Sequence, residues 1–550
     1  MASSRPLRSF QTLLTISLFF LSLALTFLAL LSVKPKPHYS TSLQPNPSHG
    51  WFDIVAEMVD TQKIRIGLVN VDDDIKSVTY GLAETVSVDF EPVSKEKKWE
   101  DFFPEWIDEH HKWGRPRCPE IPMPRLEDYL GLDVIVARVP CGEGKTEKEG
   151  IRNVWRLQVN LVVANLVVAN GWVQKAAETE RTVYVVFMGS CGPMQEIFRC
   201  DDLLTRIGDY WVYKPELRKL KQKMLMPVGS CQIAPPYAAE KGQEIWKRRI
   251  IPTLKVRLNH TAYQRVAYVT VLHSSEAYVC GAIALAQSII QTKSTKDLVL
   301  LHDSSITSKS LRGLRAAGWK TRLIEPIRSP SARRGSYNEW NYSKLRVWQL
   351  TDYDKVIFID ADIIVLKNLD KFFVYPQLSA SANDKVLFNS GIMVIEPSKC
   401  TFEDLMSKTY KLASYNGGDQ GFLNEAFTWW HRLPSKLNHL KVFNIKGNPN
   451  HEIPDDLYTI HLLGLKPWMC YRDYDCNWDM LARHIFASDS AHRRWWHVYE
   501  AMPKKLQKYC GLTRQMELRI RKWRGIAKKA NLSDGHWKIN AIDPRKHLLI

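Results

Sequence analysis

Hydrophobic positions fall into distinct regimes along this chain. From Phe10 to Val33, 24 residues carry no charge, a length that crosses a bilayer as one helix. A cleaved leader is the alternative, but it would have a shorter apolar core, and no clear small-x-small cleavage site stands out before Lys34. Beyond it, short β-branched apolar runs alternate with longer helical patterns, the signature of an α/β protein. Lys63–Asn70, Asp133–Val139 and Thr182–Met188 predict strands. Arg152 to Trp172 is apolar on most sides, and its echo Asn160-Leu-Val-Val-Ala-Asn165-Leu-Val-Val-Ala-Asn170 predicts one buried helix. In the second half, Ala267–Leu272 predicts a strand, Tyr278–Ile290 its following helix, and Lys355–Asp360 a buried parallel strand. The expected organisation is a tail (1–9), a membrane span (10–33), a Pro- and Ser-rich stem (34–60), and an α/β lobe with its connector (61–250). A second α/β domain (262–480) and a basic extension (481–550) complete it. Pro227 to Ala239 reads as the linker between the two α/β parts.

The most informative local feature is Asp360-Ala361-Asp362, which ends a buried run. Residues two apart on a strand share a face, so both carboxylates are expected to project from its carboxyl end. Open α/β sheets hold ligands there. Two hard oxygen donors suit Mg²⁺ or Mn²⁺, which can in turn hold a diphosphate. An Asp-x-Asp also occurs in solvated loops, and the apolar strand ahead of it favours the metal reading. Asp72-Asp73-Asp74, after the first strand, reads instead as an acidic loop tip.

Further motifs surround this one in order. Asn341-Tyr-Ser-Lys344-Leu-Arg346-Val-Trp348 precedes it; Phe388-Asn389-Ser390-Gly391, Gly417-Gly418-Asp419-Gln420-Gly421 and His461-Leu-Leu-Gly464-Leu-Lys466-Pro467-Trp468 follow. Over roughly 262–480 this set resembles glycosyltransferase family 8, the family of glycogenin and galactinol synthase. With the anchor, the extra N-terminal region and the run Tyr471-Arg-Asp-Tyr-Asp-Cys-Asn-Trp478, the plan looks most like the plant glycogenin-like group that includes the xylan α-glucuronosyltransferases.

The resemblance implies a GT-A type catalytic domain that retains the donor's α configuration. It implies a metal held by Asp360, Asp362 and His461, Mn²⁺ or alternatively Mg²⁺. Tyr278 would stack on the uracil, and Lys344 would meet the donor phosphates. Asp384, Asn389 and Ser390 would bind the sugar, and Leu272, Ala361, Gly391 and Gly464 complete the donor site. Asp419, Gln420 and Lys466 are the implied catalytic residues: the first two reach the anomeric face, and Lys466 meets the leaving phosphate. Lys466 follows the histidine by five residues, one fewer than the commoner family form. Retention could proceed through attack by Asp419, or on the same face with the leaving phosphate taking the acceptor proton; the second is favoured. The implied donor is UDP-glucuronate, with Arg333, Arg334 or Arg346 available for its carboxylate, and the implied acceptor is xylan. The implied setting is a single-pass Golgi membrane protein with its catalytic part in the lumen. The alternatives are transfer of glucose or galactose, or transfer to a sphingolipid head group. A self-glucosylating primer would need a tyrosine between the Asp-Gln-Gly turn and His461, where only Tyr458 stands. An inactive scaffold would not keep every metal and phosphate position filled.

Charge and cysteines refine this picture. The formal net charge is +18, and residues 504–550 hold 13 Lys and Arg against 3 Asp and Glu. That tail reads as a solvated basic helix or a contact for anionic lipid or acidic polysaccharide. No nucleic-acid motif accompanies it. The ten cysteines lack zinc spacing; an oxidising lumen would allow disulfides, with Cys470–Cys476 or Cys191–Cys200 as candidate pairs. Asn259, Asn341 and Asn531 head glycosylation sequons.

Overall fold

Apolar runs flanked by charged turns become parallel strands covered on both faces, and they do so twice. A computed structural model describes residues 50–59, 63–71, 83–141, 152–173, 179–235, 265–383, 387–443 and 451–545. The expected membrane span, Asp72–Asp74, Asn259 and Asp384 lie outside these residues. Among the described residues no helix is long and apolar enough to cross a membrane.

The first sheet contains β1 (Ile64–Val69), β2 (Ala83–Ser87), β3 (Val134–Arg138), β4 (Tyr184–Met188), β5 (Leu203–Ile207) and β6 (Tyr210–Tyr213), in the order β2-β1-β3-β4-β6-β5. Its first four strands are parallel. Along β3, Ile135 and Ala137 pack toward helix α1 (Val154–Gly171), while Val134 and Val136 meet Trp51, Phe52 and Val55 on the other face. Burial on both faces is why these strands read as continuous apolar runs. The asparagines of the sequence echo are buried in α1, yet satisfied. Asn160, Asn165 and Asn170 each donate to the carbonyl four residues back, at 2.8, 2.8 and 2.9 Å.

The second sheet contains β7 (Val266–Leu272), β8 (Asp297–His302), β9 (Lys320–Leu323), β10 (Lys355–Ile359), β12 (Ser379–Ala382), β13 (Phe388–Ile395) and β14 (His431–Leu433). Its order is β9-β8-β7-β10-β13-β12-β14. A small sheet beside it joins β11 (Ile363–Val365), β15 (His439–Leu440) and β16 (Thr459–His461). Helix α3 (Val279–Gln291), reached through a 3₁₀ turn at Glu276–Tyr278, covers one face.

Helix α2 (Leu217–Met224) brings the first half against the second. Lys355, at the start of β10, donates to Gln222 Oε1 at 3.0 Å and to the Tyr375 carbonyl at 2.7 Å. Glu396, after β13, lies 3.5 Å from Lys355 and 3.8 Å from Arg199. A Cys200–Cys400 disulfide closes the same seam. The described part of the expected linker is not loose: Ser230 N donates to the Phe102 carbonyl, Cys231 pairs with Cys118, and Ala234 N donates to the Arg432 carbonyl.

All ten cysteines are paired. Cys470–Cys476 forms as expected. Cys191–Cys200 does not. Cys191 instead bonds Cys141, and Cys200 bonds Cys400, which is 200 residues away in sequence. Sequence proximity misled here because the loop after β4 folds onto the loop after β3. The basic tail forms helix α4 (Arg514–Lys529), which buries Ile520 and Ala527 and leaves most of its cations in solvent.

Candidate active site

Strand β10 ends at Ile359, and Asp360 N donates to the Gly391 carbonyl at 2.8 Å. The chain then turns: Ile363 N donates to the Asp360 carbonyl at 3.1 Å. Asp360 and Asp362 therefore do not share a strand face, as the sequence pattern led us to expect. They flank a tight turn between β10 and β11, and the turn brings them together. Antiparallel pairing of β11 with β16 sets Ile363 opposite His461, so the imidazole stands beside Asp362.

Ligand atoms of Asp360, Asp362 and His461 all lie within 4.8 Å of one another. His461 Nε2 is 3.3 Å from Asp362 Oδ1. Lys466 Nζ donates to Asp362 Oδ2 and to the Leu462 carbonyl, both at 2.6 Å, so the shorter loop still aims the ammonium into this cluster. Lys344 Nζ sits 3.2 Å from Asp360 and 2.6 Å from Asp419. Ser390 Oγ also donates to Asp419, at 2.7 Å.

The charges here are strongly coupled. Burial and the neighbouring Asp362 raise the Asp360 carboxyl, with Lys344 working against them. Burial would also raise Asp362, but Lys466 and His461 prevail and hold it well below the carboxylate range. Burial opposes the charge on Lys344 and Lys466, yet their carboxylate partners hold both ammoniums above the ordinary lysine value. Three carboxylates thus face two ammoniums, an excess of negative charge. Two carboxylate oxygens and one imidazole nitrogen around that excess form a donor set that fits a divalent cation.

A cavity of about 410 Å³ opens beside the cluster. Leu272, Tyr278, Lys344, Ala361 and Asp419 line it together with the two carboxylates. Tyr278 makes a T-shaped contact with Trp468 at 5.9 Å, and its hydroxyl lies 3.5 Å from that of Tyr337, another residue of the cavity wall. The remaining expected residues lie around this cavity or are turned away from it. Gln420 accepts from Ser390 N at 3.3 Å and donates to Tyr415 at 2.7 Å. Asn389 Oδ1 accepts from Gly391 N and from Asn438 Nδ2, both at 2.8 Å, so its amide is engaged in holding the loop. Arg346 points away, donating to the Glu325 carbonyl and to Gln349, each at 3.0 Å. Arg333 and Arg334 are exposed, just before the wall residues Gly335, Ser336 and Tyr337.

Two glycines are required by space. A Cβ on Gly391 would fall 2.6 Å from His461 Cε1. Gly464 has φ +79°, and a Cβ there would meet Asn477 Oδ1 at 2.6 Å. Asn477 and Phe486 occupy the side where that Cβ would stand, so packing as well as the positive φ demands glycine here. Sequence reasoning also missed Asn438, whose Oδ1 lies 3.2 Å from His461 Nδ1 and orients the ring. It sits in no motif, so only tertiary structure reveals it.

Comparison with known proteins gives the chain its family. Residues 269–470 match Glycosyl transferase family 8, and residues 37–231 match the GUX1-5 N-terminal domain. The chain is 51% identical to UDP-glucuronate:xylan alpha-glucuronosyltransferase 2 of Arabidopsis thaliana, over 88% of this chain and 81% of the relative. The chain belongs to glycosyltransferase family 8. It is a glycosyltransferase, and the cavity beside Asp360, Asp362 and His461 is the candidate donor site of this family 8 enzyme. UDP-glucuronate:xylan alpha-glucuronosyltransferase 1 of the same plant is 42% identical over 94% of the chain and 76% of its own length. A shorter stretch, 30% of each chain, is 40% identical to Arabidopsis thaliana inositol phosphorylceramide glucuronosyltransferase 1.

Proposed function

We propose that this protein is a retaining, metal-dependent GT-A type glycosyltransferase that moves glucuronosyl from UDP-glucuronate to xylan. The observation that carries the reading is the Asp360–Asp362–His461 cluster flanked by Lys344 and Lys466 at the wall of the donor cavity. The names of the long relatives support the donor and acceptor. A bound Mn²⁺ or Mg²⁺ would neutralise diphosphate oxygens and stabilise the leaving group. Lys466, already 2.6 Å from Asp362, supplies a second positive charge on the leaving side. Tyr278 offers a flat face for the base. Asp419 is bound by both Lys344 and Ser390; a carboxylate so engaged is a poor nucleophile. That favours the same-face route, with Asp419 and Gln420 placing sugar and acceptor. The shorter likeness to a ceramide glucuronosyltransferase supports a second reading, the same donor with a sphingolipid head group as acceptor.

The proposal includes a single-pass anchor at 10–33, a stem, and a catalytic part in the Golgi lumen. Pairing of all ten cysteines supports an oxidising compartment. The deciding assay supplies the protein with Mn²⁺, a panel of UDP-sugars and xylo-oligosaccharides, and reads products by mass. UDP-glucuronate should exceed UDP-glucose at least tenfold in kcat/KM, a gap of about 1.4 kcal/mol. One charge-assisted bond from Arg333 or Arg334 to the carboxylate, about 1.5–3 kcal/mol, is sufficient. A better rate with UDP-glucose refutes the donor, and sphingolipid-only transfer selects the second reading. Digestion of the catalytic part by protease in intact microsomes refutes the lumenal orientation.

A further inference from the structure

Two of the largest apolar side chains in the protein are left in solvent, side by side. Trp106 is 55% exposed and Trp113 80% exposed. Their rings meet edge to face at 5.7 Å. They do not hold their own segment together. Buried Ile107 and Asp108 do that, with Asp108 Oδ2 accepting from Trp113 N at 2.7 Å. The segment is also fastened at several points. Arg432 donates to the Pro104 carbonyl at 3.1 Å, Ser435 N donates to Glu109 Oε2 at 2.9 Å, and Cys118 is bonded to Cys231. Two touching exposed indoles on a fastened segment offer a ready contact surface.

Its position identifies that partner. Strand β14 runs parallel to β12, which runs parallel to β10 through the antiparallel β13 between them, so β14 ends at the same sheet edge as Asp360. Glu109 grips Ser435, two residues past that end. One 3₁₀ turn, Ser435–Leu437, then leads to Asn438, the residue that orients His461. The nucleotide wall, with Leu272 and Tyr278, lies on the opposite side of β10. The tryptophans therefore lie beyond the non-nucleotide side of the site, past three strand spacings of roughly 4.8 Å each. An incoming polymer several pyranose units long spans that interval. Indole faces pack against the apolar C–H faces of pyranose rings. The exposed Glu105, His110, His111 and Lys112 beside them offer partners for hydroxyls.

We propose that Trp106 and Trp113 form a platform on which the acceptor polysaccharide lies as it enters the site. The identity of that polysaccharide as xylan rests on the function proposed above. The test uses the full-length protein in detergent. Retardation in native gels containing xylan is measured without donor; KM is then measured for long and for short xylo-oligosaccharides. The unmodified protein should be retarded. The Trp106→Ala/Trp113→Ala double variant should lose most of that retardation and show an increase of about tenfold or more in KM for the long acceptor. The expected increase is confined to KM for long acceptors, with kcat retained and KM for short acceptors and UDP-glucuronate unmoved. Trp113→Tyr should recover much of the binding. An unchanged melting temperature, expected for exposed residues, shows that folding is not the cause. No retardation of the unmodified protein overturns the platform, as do equal retardation of the variant and an equal KM rise with short acceptors. Loss of binding to phosphatidylcholine vesicles in place of xylan overturns it in favour of a lipid surface. Retardation that depends on the tryptophans, without any glucuronosyl transfer, upholds the platform while refuting the donor.

Discussion

Replacing Glu396 by Gln tests how the two halves are held together. Glu396 is 2% exposed and faces Lys355, Lys223 and Arg199, two of them contributed by the first half of the chain. Burial alone would raise its carboxyl, but those cations pull it down to about 2, from an ordinary value of 4.5. A carboxylate held low stabilises the fold above its unfolded value, and this is lost as pH falls toward the folded one. The interval corresponds to about 3 kcal/mol at neutral pH. Glutamine keeps the volume and removes the charge, leaving Lys355 and Arg199 buried with less compensation, a change that ordinarily costs about 3–5 kcal/mol. With an unfolding entropy near 2 cal/mol/K per residue, a cooperative unit of this size should melt about 3 °C lower. The assay is chemical denaturation of both proteins, disulfides intact, from pH 7 to pH 2. The stability gap should be full at pH 6, shrink below pH 4.5 and nearly vanish at pH 2. A gap below about 0.5 kcal/mol at pH 7, or one independent of pH, would falsify the idea that Glu396 is the shared counter-ion of this seam.

Asp360→Ala or Asp362→Ala should reduce transfer to background with the circular dichroism unchanged; substantial turnover at saturating Mn²⁺ removes the metal assignment. Asn438→Ala frees His461 Nδ1 and should raise the metal concentration for half-maximal activity by about 10–100-fold, and an unchanged titration curve would make Asn438 a packing residue only. Gly391→Ala places a Cβ 2.6 Å from His461 Cε1, so it should weaken metal affinity in the same direction, and a variant with ordinary metal affinity would show that the loop can give way. Lys223, pulled down to about 8 chiefly by burial, gives a slope of the same sign as Glu396 in a higher pH window: its unfolded form binds more protons between pH 8 and 10.5, so stability should rise with pH there, and Lys223→Met should flatten that rise.

Much of the catalytic half is legible in the chain itself. Strands buried on both faces announce themselves as apolar runs, and α3 and β10 fall where the pattern puts them. Asp360, Asp362, His461 and Lys466 could be named because their chemistry is local: each stands in a short motif whose residue types suit a cation or a phosphate. Their geometry was not legible. The two carboxylates converge through a turn, and His461 joins them only because β16 pairs with β11 across nearly 100 residues of intervening chain. Asn438, the spacing role of Gly391 and the Cys200–Cys400 bond have no local signature, since each depends on backbone brought close by the sheet. The two tryptophans make the same point. As residues they are plain in the sequence, but their exposure and their mutual contact exist only in the folded chain, on a segment that Glu109 fastens to Ser435 just past β14. Hydrophobic periodicity and residue chemistry act over a few positions and are written in the sequence; non-local pairing and close approach are decided only when the strands assemble.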